Sequence, residues 1–236
     1  MGQKKLLRFE ALKGFSNVLQ NPPGMAGKWN EHFGNTNPIT LELACGKGEY
    51  TVGLAALYSD RNFIGVDIKG NRLYVGARKS LAAGLHNAAF LRTQIDGINT
   101  FFAPEEVSEI WITFPDPQLR RSRAKKRLTH PKFLRLYQSI LKPGGIVHLK
   151  TDSPVLYRFT HMVIELYGLE LVESIEDVHG GQPVSDELKI TTHYEALDIA
   201  QSNRIHYISF RLPTQRLEDQ DKKLHELVFE NEEATG

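Results

Sequence analysis

Short apolar runs at residues 39–44, 62–67, 107–114 and 145–151 recur along the chain, separated by segments whose apolar residues fall at helical spacing. No other feature constrains the fold as much. Each run is rich in Ile, Leu, Val, Phe or Trp and bounded by polar, Gly or Pro residues, the pattern of a buried strand. Residues 49–58, 69–84 and 130–141 supply helices between them, and Lys142-Pro143-Gly144-Gly145 supplies a stop before the last strand. Strand and helix in alternation predict an α/β fold, a mostly parallel Rossmann-like sheet with helices on both faces. Weaker strand candidates at 88–93, 169–175 and 204–211 bring the sheet to about seven strands. With 236 residues, the chain is expected to form one large domain over 39–213. A 1–38 arm of helix and loops precedes it, and a loosely packed acidic helix over 214–236 follows.

The formal net charge is only +1, yet between Asp116 and Asp152 there are ten Lys or Arg residues and no acid. Arg120, Arg121, Arg123, Lys125, Lys126, Arg127, Lys132 and Arg135 carry most of it. After Arg216 the balance reverses, with seven acids against three basic residues counting Arg216. A basic patch confined to one place on a near-neutral chain points to a polyanionic partner; a solvated face would mix both signs. The single cysteine, Cys45, excludes an internal disulfide and a cysteine-built metal cluster, which fits a reducing compartment. No apolar run approaches the roughly 20 residues needed to span a bilayer. The expected location is the cytoplasm, with no membrane contact.

In an open parallel sheet, ligands bind beyond the carboxyl ends of the strands where the strand order reverses, which singles out the turn after the first strong strand. That turn reads Leu41-Glu42-Leu43-Ala44-Cys45-Gly46-Lys47-Gly48-Glu49. Gly46 and Gly48 permit a tight turn and close backbone approach. A nicotinamide fingerprint would continue to a third glycine, and Thr51 stands there instead. Glu42 is costly to bury unless it meets a cation or several donors, and the ammonium of a methionine moiety would be such a partner. Asp67 ends the second strand, where a carboxylate can accept hydrogen bonds from both ribose hydroxyls. Asp96, just past the third strand, is placed either to meet an adenine amino group or to cap a helix. Cys45 reads as a small turn residue, since no partner base is evident.

Glu-x-Ala-Cys-Gly-Lys-Gly followed by Gly-Val-Asp resembles the nucleoside-binding region of seven-stranded class I methyltransferases, which implies S-adenosylmethionine as cofactor, with Ala44 standing where that family usually has Gly. Further along, Phe114-Pro115-Asp116-Pro117 with its basic run is similar to the signature of bacterial tRNA (guanine-N7-)-methyltransferases. Lys150-Thr151-Asp152 and Thr192-His193-Tyr194-Glu195 match that family's later elements in order, and Gln118 departs from a frequent Trp. The resemblance spans roughly residues 27–212. It implies methyl transfer to N7 of a guanine in tRNA, the variable-loop guanine at position 46. It places Asp116 at the reaction centre and against the cofactor, and Arg120, Asp152, Thr192, His193, Tyr194 and Glu195 on the substrate.

Chemistry is consistent with that assignment. Guanine N7 carries a free lone pair, so attack on a sulfonium methyl needs positioning and exclusion of water rather than a general base. An ionised Asp116 or Asp152 is acceptor-only and suits guanine's N1–H and amino donors, whereas adenine offers an acceptor at N1. Thr192 and Glu195 also fit a helix capping box opening a helix through residue 199. Arg121, Arg123, Lys125, Lys126 and Arg127 are expected on phosphates, which position RNA without reading sequence. His148 and His161 lack ligand-spaced neighbours, so no metal is expected. A class I methyltransferase acting on another acceptor, or a non-catalytic RNA-binding protein, would share parts of this pattern. The sequence leaves monomer or homodimer open.

Overall fold

The structure, a computed structural model, describes residues 2–193, 195–197 and 204–233. One sheet organises it. Its strands are β1 (Val18–Gln20), β2 (Ile39–Leu43), β3 (Asn62–Asp67), β4 (Ala88–Arg92), β5 (Val107–Thr113), β6 (Leu141–Thr151), β7 (Glu170–Ile175) and β8 (His206–Arg211). They lie in the order β1-β4-β3-β2-β5-β6-β8-β7. Pairings from β1 through β6 are parallel, while β8 is antiparallel to both β6 and β7. The helices are α1 (Gly2–Leu12), α2 (Trp29–Phe33), α3 (Glu49–Leu57), α4 (Gly70–Ala82), α5 (Pro131–Gln138), α6 (Pro154–Tyr167) and α7 (Asp221–Glu233). The mixed α/β class and mostly parallel sheet match the sequence reading.

Every residue of β2 and β3 is buried, as a strand covered on both faces requires. Leu41, Leu43, Ile64 and Val66 join the cluster that includes Phe133 of α5 and Phe159 of α6. Phe63 faces the opposite side with Tyr50 and Leu54 of α3. Helix α5 opens on His130, whose Nδ1 accepts from Lys132 N–H at 3.0 Å, and on Pro131 at its first position. It closes at Gln138, and β6 already begins at Leu141, so the Lys142-Pro143-Gly144-Gly145 stretch lies within the start of the strand.

Two expectations are corrected. The sheet has eight strands because β1, inside the supposed arm, pairs parallel with the edge of β4. The same arm sends Trp29 into the core, fully buried, stacked on Phe102 at 5.2 Å and donating its indole N–H to Phe101 O at 2.8 Å. The tail is not loosely packed either, for α7 docks on α6 and buries Leu224 and Val228. Asp221 fastens it by accepting from Arg135 and from Tyr167 Oη, each at 2.7 Å. Helix α6 had no place in the sequence reading; it starts at Ser153, whose Oγ accepts from Leu156 N–H at 3.2 Å, and ends at a left-handed Gly168.

Trp29→Ala should therefore cost about 3–5 kcal/mol of unfolding free energy, the usual penalty for emptying a fully packed aromatic site. Urea denaturation measures it; a midpoint equal to that of the wild type would show that the arm is not part of the core.

Candidate active site

The strand order reverses around β2, which has β3 on one side and β5 on the other. Beyond the carboxyl ends of these strands the backbone turns sharply. Ala44, Gly46 and Gly48 all take left-handed conformations, with φ of 57°, 56° and 66°. A Cβ on Gly48 would collide with the Phe90 ring, so this glycine is required for packing as well as for its φ. Ala44 adopts the same kind of conformation at a cost of roughly 1–2 kcal/mol for a side chain bearing Cβ. The turn is held from β3, because Gly46 N–H donates to Asp67 Oδ2 at 3.0 Å and Cys45 N–H to Val66 O at 3.0 Å. Asp67 Oδ1 accepts from Lys69 N–H at 2.7 Å. Each carboxylate oxygen has a second lone pair for a ligand.

Glu42 is 2% exposed and meets neutral donors. It accepts from Thr51 N–H at 2.7 Å, from Thr113 Oγ1 at 2.6 Å and from Thr51 Oγ1. Burial pushes its carboxyl up to about 7 against the pull of these hydrogen bonds. Thr51, the residue that breaks the nicotinamide fingerprint, is thus one of the anchors of the acid. Burial, with Glu42 and Asp67 nearby, also drives the Cys45 thiol well above its ordinary range, which suits a packed turn residue and no nucleophile.

A cleft of about 480 Å³ opens here, lined by Glu42, Asp67, Asp116, Asp152 and Thr192, with Lys69 and Arg72 at its border. A second cavity of about 420 Å³ shares Ala44, Asp67 and Ile68 with it and continues to Ile95, Asp96 and Phe133. The two together offer acids at one end and a largely apolar slot at the other. An elongated cationic nucleoside with a flat base fits that arrangement. Asp96, 58% exposed by its side chain, pairs with Lys132 at the edge of the slot.

Strand β5 delivers Asp116. Phe114 N–H donates to Lys150 O at 2.9 Å, Phe114 then turns left-handed at φ 47°, and Pro115 is buried. Asp116 is exposed, and its Oδ1 accepts from Gln118 N–H at 3.0 Å. The basic stretch that follows divides in two. Arg120, Arg123, Lys125 and Lys126 are exposed. Arg127 is 1% exposed, lies over the Phe159 ring at 4.6 Å and donates to Pro117 O and Gln118 O, each at 3.2 Å. Its expected place on RNA phosphates is therefore corrected: it braces the Asp116 turn from below. Arg121 is half-buried against Phe229 of α7.

Thr192 and Glu195 form the capping box: Glu195 N–H donates to Thr192 Oγ1 at 3.2 Å and Thr192 N–H to Glu195 Oε2 at 3.4 Å. The turn they open is a short 3-10 helix, Glu195–Leu197. Thr192 nevertheless borders the cleft, whereas Glu195 pairs with Lys150 at 3.0 Å and His179 at 2.8 Å. His193 is exposed, its N–H donating to Glu49 Oε2 at 2.8 Å. Tyr194 lies outside the described residues. His148 Nδ1 hydrogen-bonds Tyr207 Oη at 2.7 Å and its ring stacks on Trp111, while His161 pairs with Ser174 Oγ at 3.0 Å. Sequence reasoning missed Thr113, Lys69 and Arg72, took Thr51 only as the break in the nicotinamide fingerprint and Lys150 only as part of the Lys150-Thr151-Asp152 match; the hydroxyls at the end of β5 and the start of α3 were the available signal.

Residues 36–208 match a family model described as "Putative methyltransferase". A protein of Bacteroides thetaiotaomicron named tRNA (guanine-N(7)-)-methyltransferase is 47% identical over 222 residues, covering 90% of this chain and 87% of its own length. One of the same name from Porphyromonas gingivalis is 50% identical over 190 residues, covering 80% and 77%. Among solved structures, the 16S rRNA methyltransferase KamB superposes with a TM-score of 0.60 over 84% of this chain and 99% of its own, at 13% identity, which speaks to fold alone. No helix among the described residues is long and apolar enough to cross a membrane.

The raised carboxyl of Glu42 gives a signed pH dependence. Its protonated form is favoured on folding, so the contribution is complete below about pH 4.5 and is lost as pH rises through about 7. Relative to Glu42→Gln, wild-type stability should fall by about 3 kcal/mol across that window. Parallel denaturant titrations of both proteins at several pH values check this; a constant difference would show that Glu42 is not shifted.

Proposed function

Since this chain belongs to the tRNA (guanine-N(7)-)-methyltransferase family, we propose that it transfers a methyl group from S-adenosylmethionine to N7 of a guanine in tRNA, that at position 46 of the variable loop, with Asp116 at the reacting centre. The carrying observation is the convergence of Glu42, Asp67, Asp116 and Asp152 on one cleft at the sheet's switch point, with exposed Arg120, Arg123, Lys125 and Lys126 following the Asp116 turn.

The residues fit the cofactor. Glu42 would take its ammonium, Asp67 its ribose hydroxyls, and the Ile68, Ile95 and Phe133 slot its adenine, with Asp96 toward the amino group. When bound, S-adenosylmethionine would supply an electrophilic methyl on a sulfonium for the free lone pair of guanine N7, with the S–methyl bond breaking and the neutral thioether as leaving group. The protein's share is therefore orientation, exclusion of water and selection of the base. Asp116 and Asp152 line the same cleft and are acceptors only when ionised, so they suit guanine's N1–H and amino group and repel the N1 of adenine. Their charge also favours the cationic purine formed on methylation. Arg120, Arg123, Lys125 and Lys126 would hold phosphates and fix the register of the RNA.

Incubation of unmodified tRNA with labelled S-adenosylmethionine, followed by strand cleavage selective for 7-methylguanine, tests the reading. Label at a single cleavable guanine in the variable loop is expected; label that resists cleavage would move the acceptor atom. Asp116→Ala should lower kcat by at least about 100-fold while tRNA affinity changes far less; near-normal turnover would remove Asp116 from the centre. Neutralising Arg123, Lys125 and Lys126 together should weaken tRNA binding and flatten the slope of log K against log salt by about 1 for each phosphate no longer engaged, with cofactor affinity unchanged. An unaltered slope would place the RNA elsewhere.

A further inference from the structure

We propose that Lys150 is a positioning residue that latches Leu188, Ile190 and Glu195 against the Asp116 turn, with Glu195 as the charged anchor of the latch. The proposal rests on the methyl-transfer reading above and deepens it.

Lys150 stands near the carboxyl end of β6 with 0% exposure. An ammonium has three N–H donors, and here each finds an acceptor from one short segment: Leu188 O at 2.9 Å, Ile190 O at 2.9 Å and Glu195 Oε2 at 3.0 Å. The rings of Tyr50 and Phe114 lie 5.7 and 5.8 Å from the nitrogen. A buried cation is expensive unless fully satisfied. This one is satisfied by the strip of chain that presents Thr192 to the cleft.

The main chain of the same residue reaches the other wall, because Lys150 O accepts from Phe114 N–H at 2.9 Å, immediately before Pro115-Asp116. One residue therefore ties both sides of the acceptor site. The carboxylate of Glu195 anchors this structure. Oε2 takes Lys150 and the Thr192 N–H, and Oε1 pairs with His179 Nε2 at 2.8 Å. Its geometry holds Thr192 in place. Tyr50 Oη and Tyr58 Oη, donating to the backbone and side chain of Glu187, secure the start of the same segment.

The test compares Lys150→Met, Lys150→Arg and Glu195→Gln with wild type, measuring kcat and KM for tRNA, the Kd for S-adenosylmethionine and hydrogen exchange over residues 188–197. Lys150→Met is expected to lower kcat/KM for tRNA by about 100-fold through misplacement of the acceptor wall. Cofactor Kd should stay within about twofold, and exchange in the segment should speed up. Lys150→Arg should not rescue, since a planar fork cannot serve three acceptors grouped around a point charge. Glu195→Gln should lose about tenfold or more, since a neutral amide weakens the pairings with both Lys150 and His179, and loosen the same segment. Wild-type kinetics in Lys150→Met would overturn the proposal. So would a loss of activity in Glu195→Gln with segment protection unchanged, which would show that Glu195 does not anchor the segment. If Lys150→Met does not fold, Glu195→Gln decides. Failure of wild type to methylate tRNA would count against the functional reading, while the exchange data would still judge the latch.

Discussion

The active cleft depends on a carboxylate that the fold buries at its centre. Glu42 sits in the middle of the sheet, between β3 and β5, and is held by Thr51 from α3 and Thr113 from β5. These are the elements on either side of the switch point, so one side chain fixes the distance between the turn after β2 and the strand that delivers Asp116. Burial leaves its carboxyl poised near neutrality, where an arriving cation would ionise it. A ligand bearing an ammonium thus completes an interaction that the fold by itself satisfies only with neutral donors. The left-handed positions at Ala44, Gly46 and Gly48 follow from the same geometry, since the chain must reverse above Glu42 while Asp67 grips Gly46.

Much of this is legible in the sequence alone, for physical reasons. Strands β2, β3 and β5 are buried on both faces and read as continuous apolar runs, and the acids at their ends are conspicuous because burial penalises them. Helix α6 carries a readable signal too: Ser153-Pro154 is a start, Leu156, Phe159, Val163 and Ile164 share one face, and Gly168 is a stop. The short β1 carries no such signal, since three half-buried residues give no period to read, and its membership in the sheet comes from pairing with β4. Trp29 and α7 likewise owe their burial to tertiary partners far along the chain, Phe102 for one and Arg135 and Tyr167 for the other.

The site is legible as a set of residues but not as a set of roles. Glu42, Asp67, Asp116, Asp152 and Thr192 do converge. What sequence cannot apportion is which charges face the ligand and which hold the scaffold. Thr192 and Glu195 answer to both descriptions at once. Their capping box forms, yet only Thr192 borders the cleft, while Glu195 commits its charge to Lys150 and His179.

The basic stretch shows how local geometry makes this division. Residues Arg121–Lys126 form a 3-10 helix, in which side chains three apart lie above one another. Positions 121, 124 and 127 therefore turn the same way, and they are the ones that pack inward: Arg121 on Phe229, Ala124 buried, Arg127 under the Asp116 turn against Phe159. Arg123, Lys125 and Lys126 face solvent. A count of charges treats all of these cations alike, but a period of three separates a brace from a solvent-facing edge. The guanidinium of Arg127 suits the inward position because it spreads its donors over two carbonyls while its plane covers an aromatic ring, which an ammonium cannot do. The turn that aims Asp116 thus stands on one arginine of the stretch, and the exposed cations beside it are held outward, where phosphate would meet them.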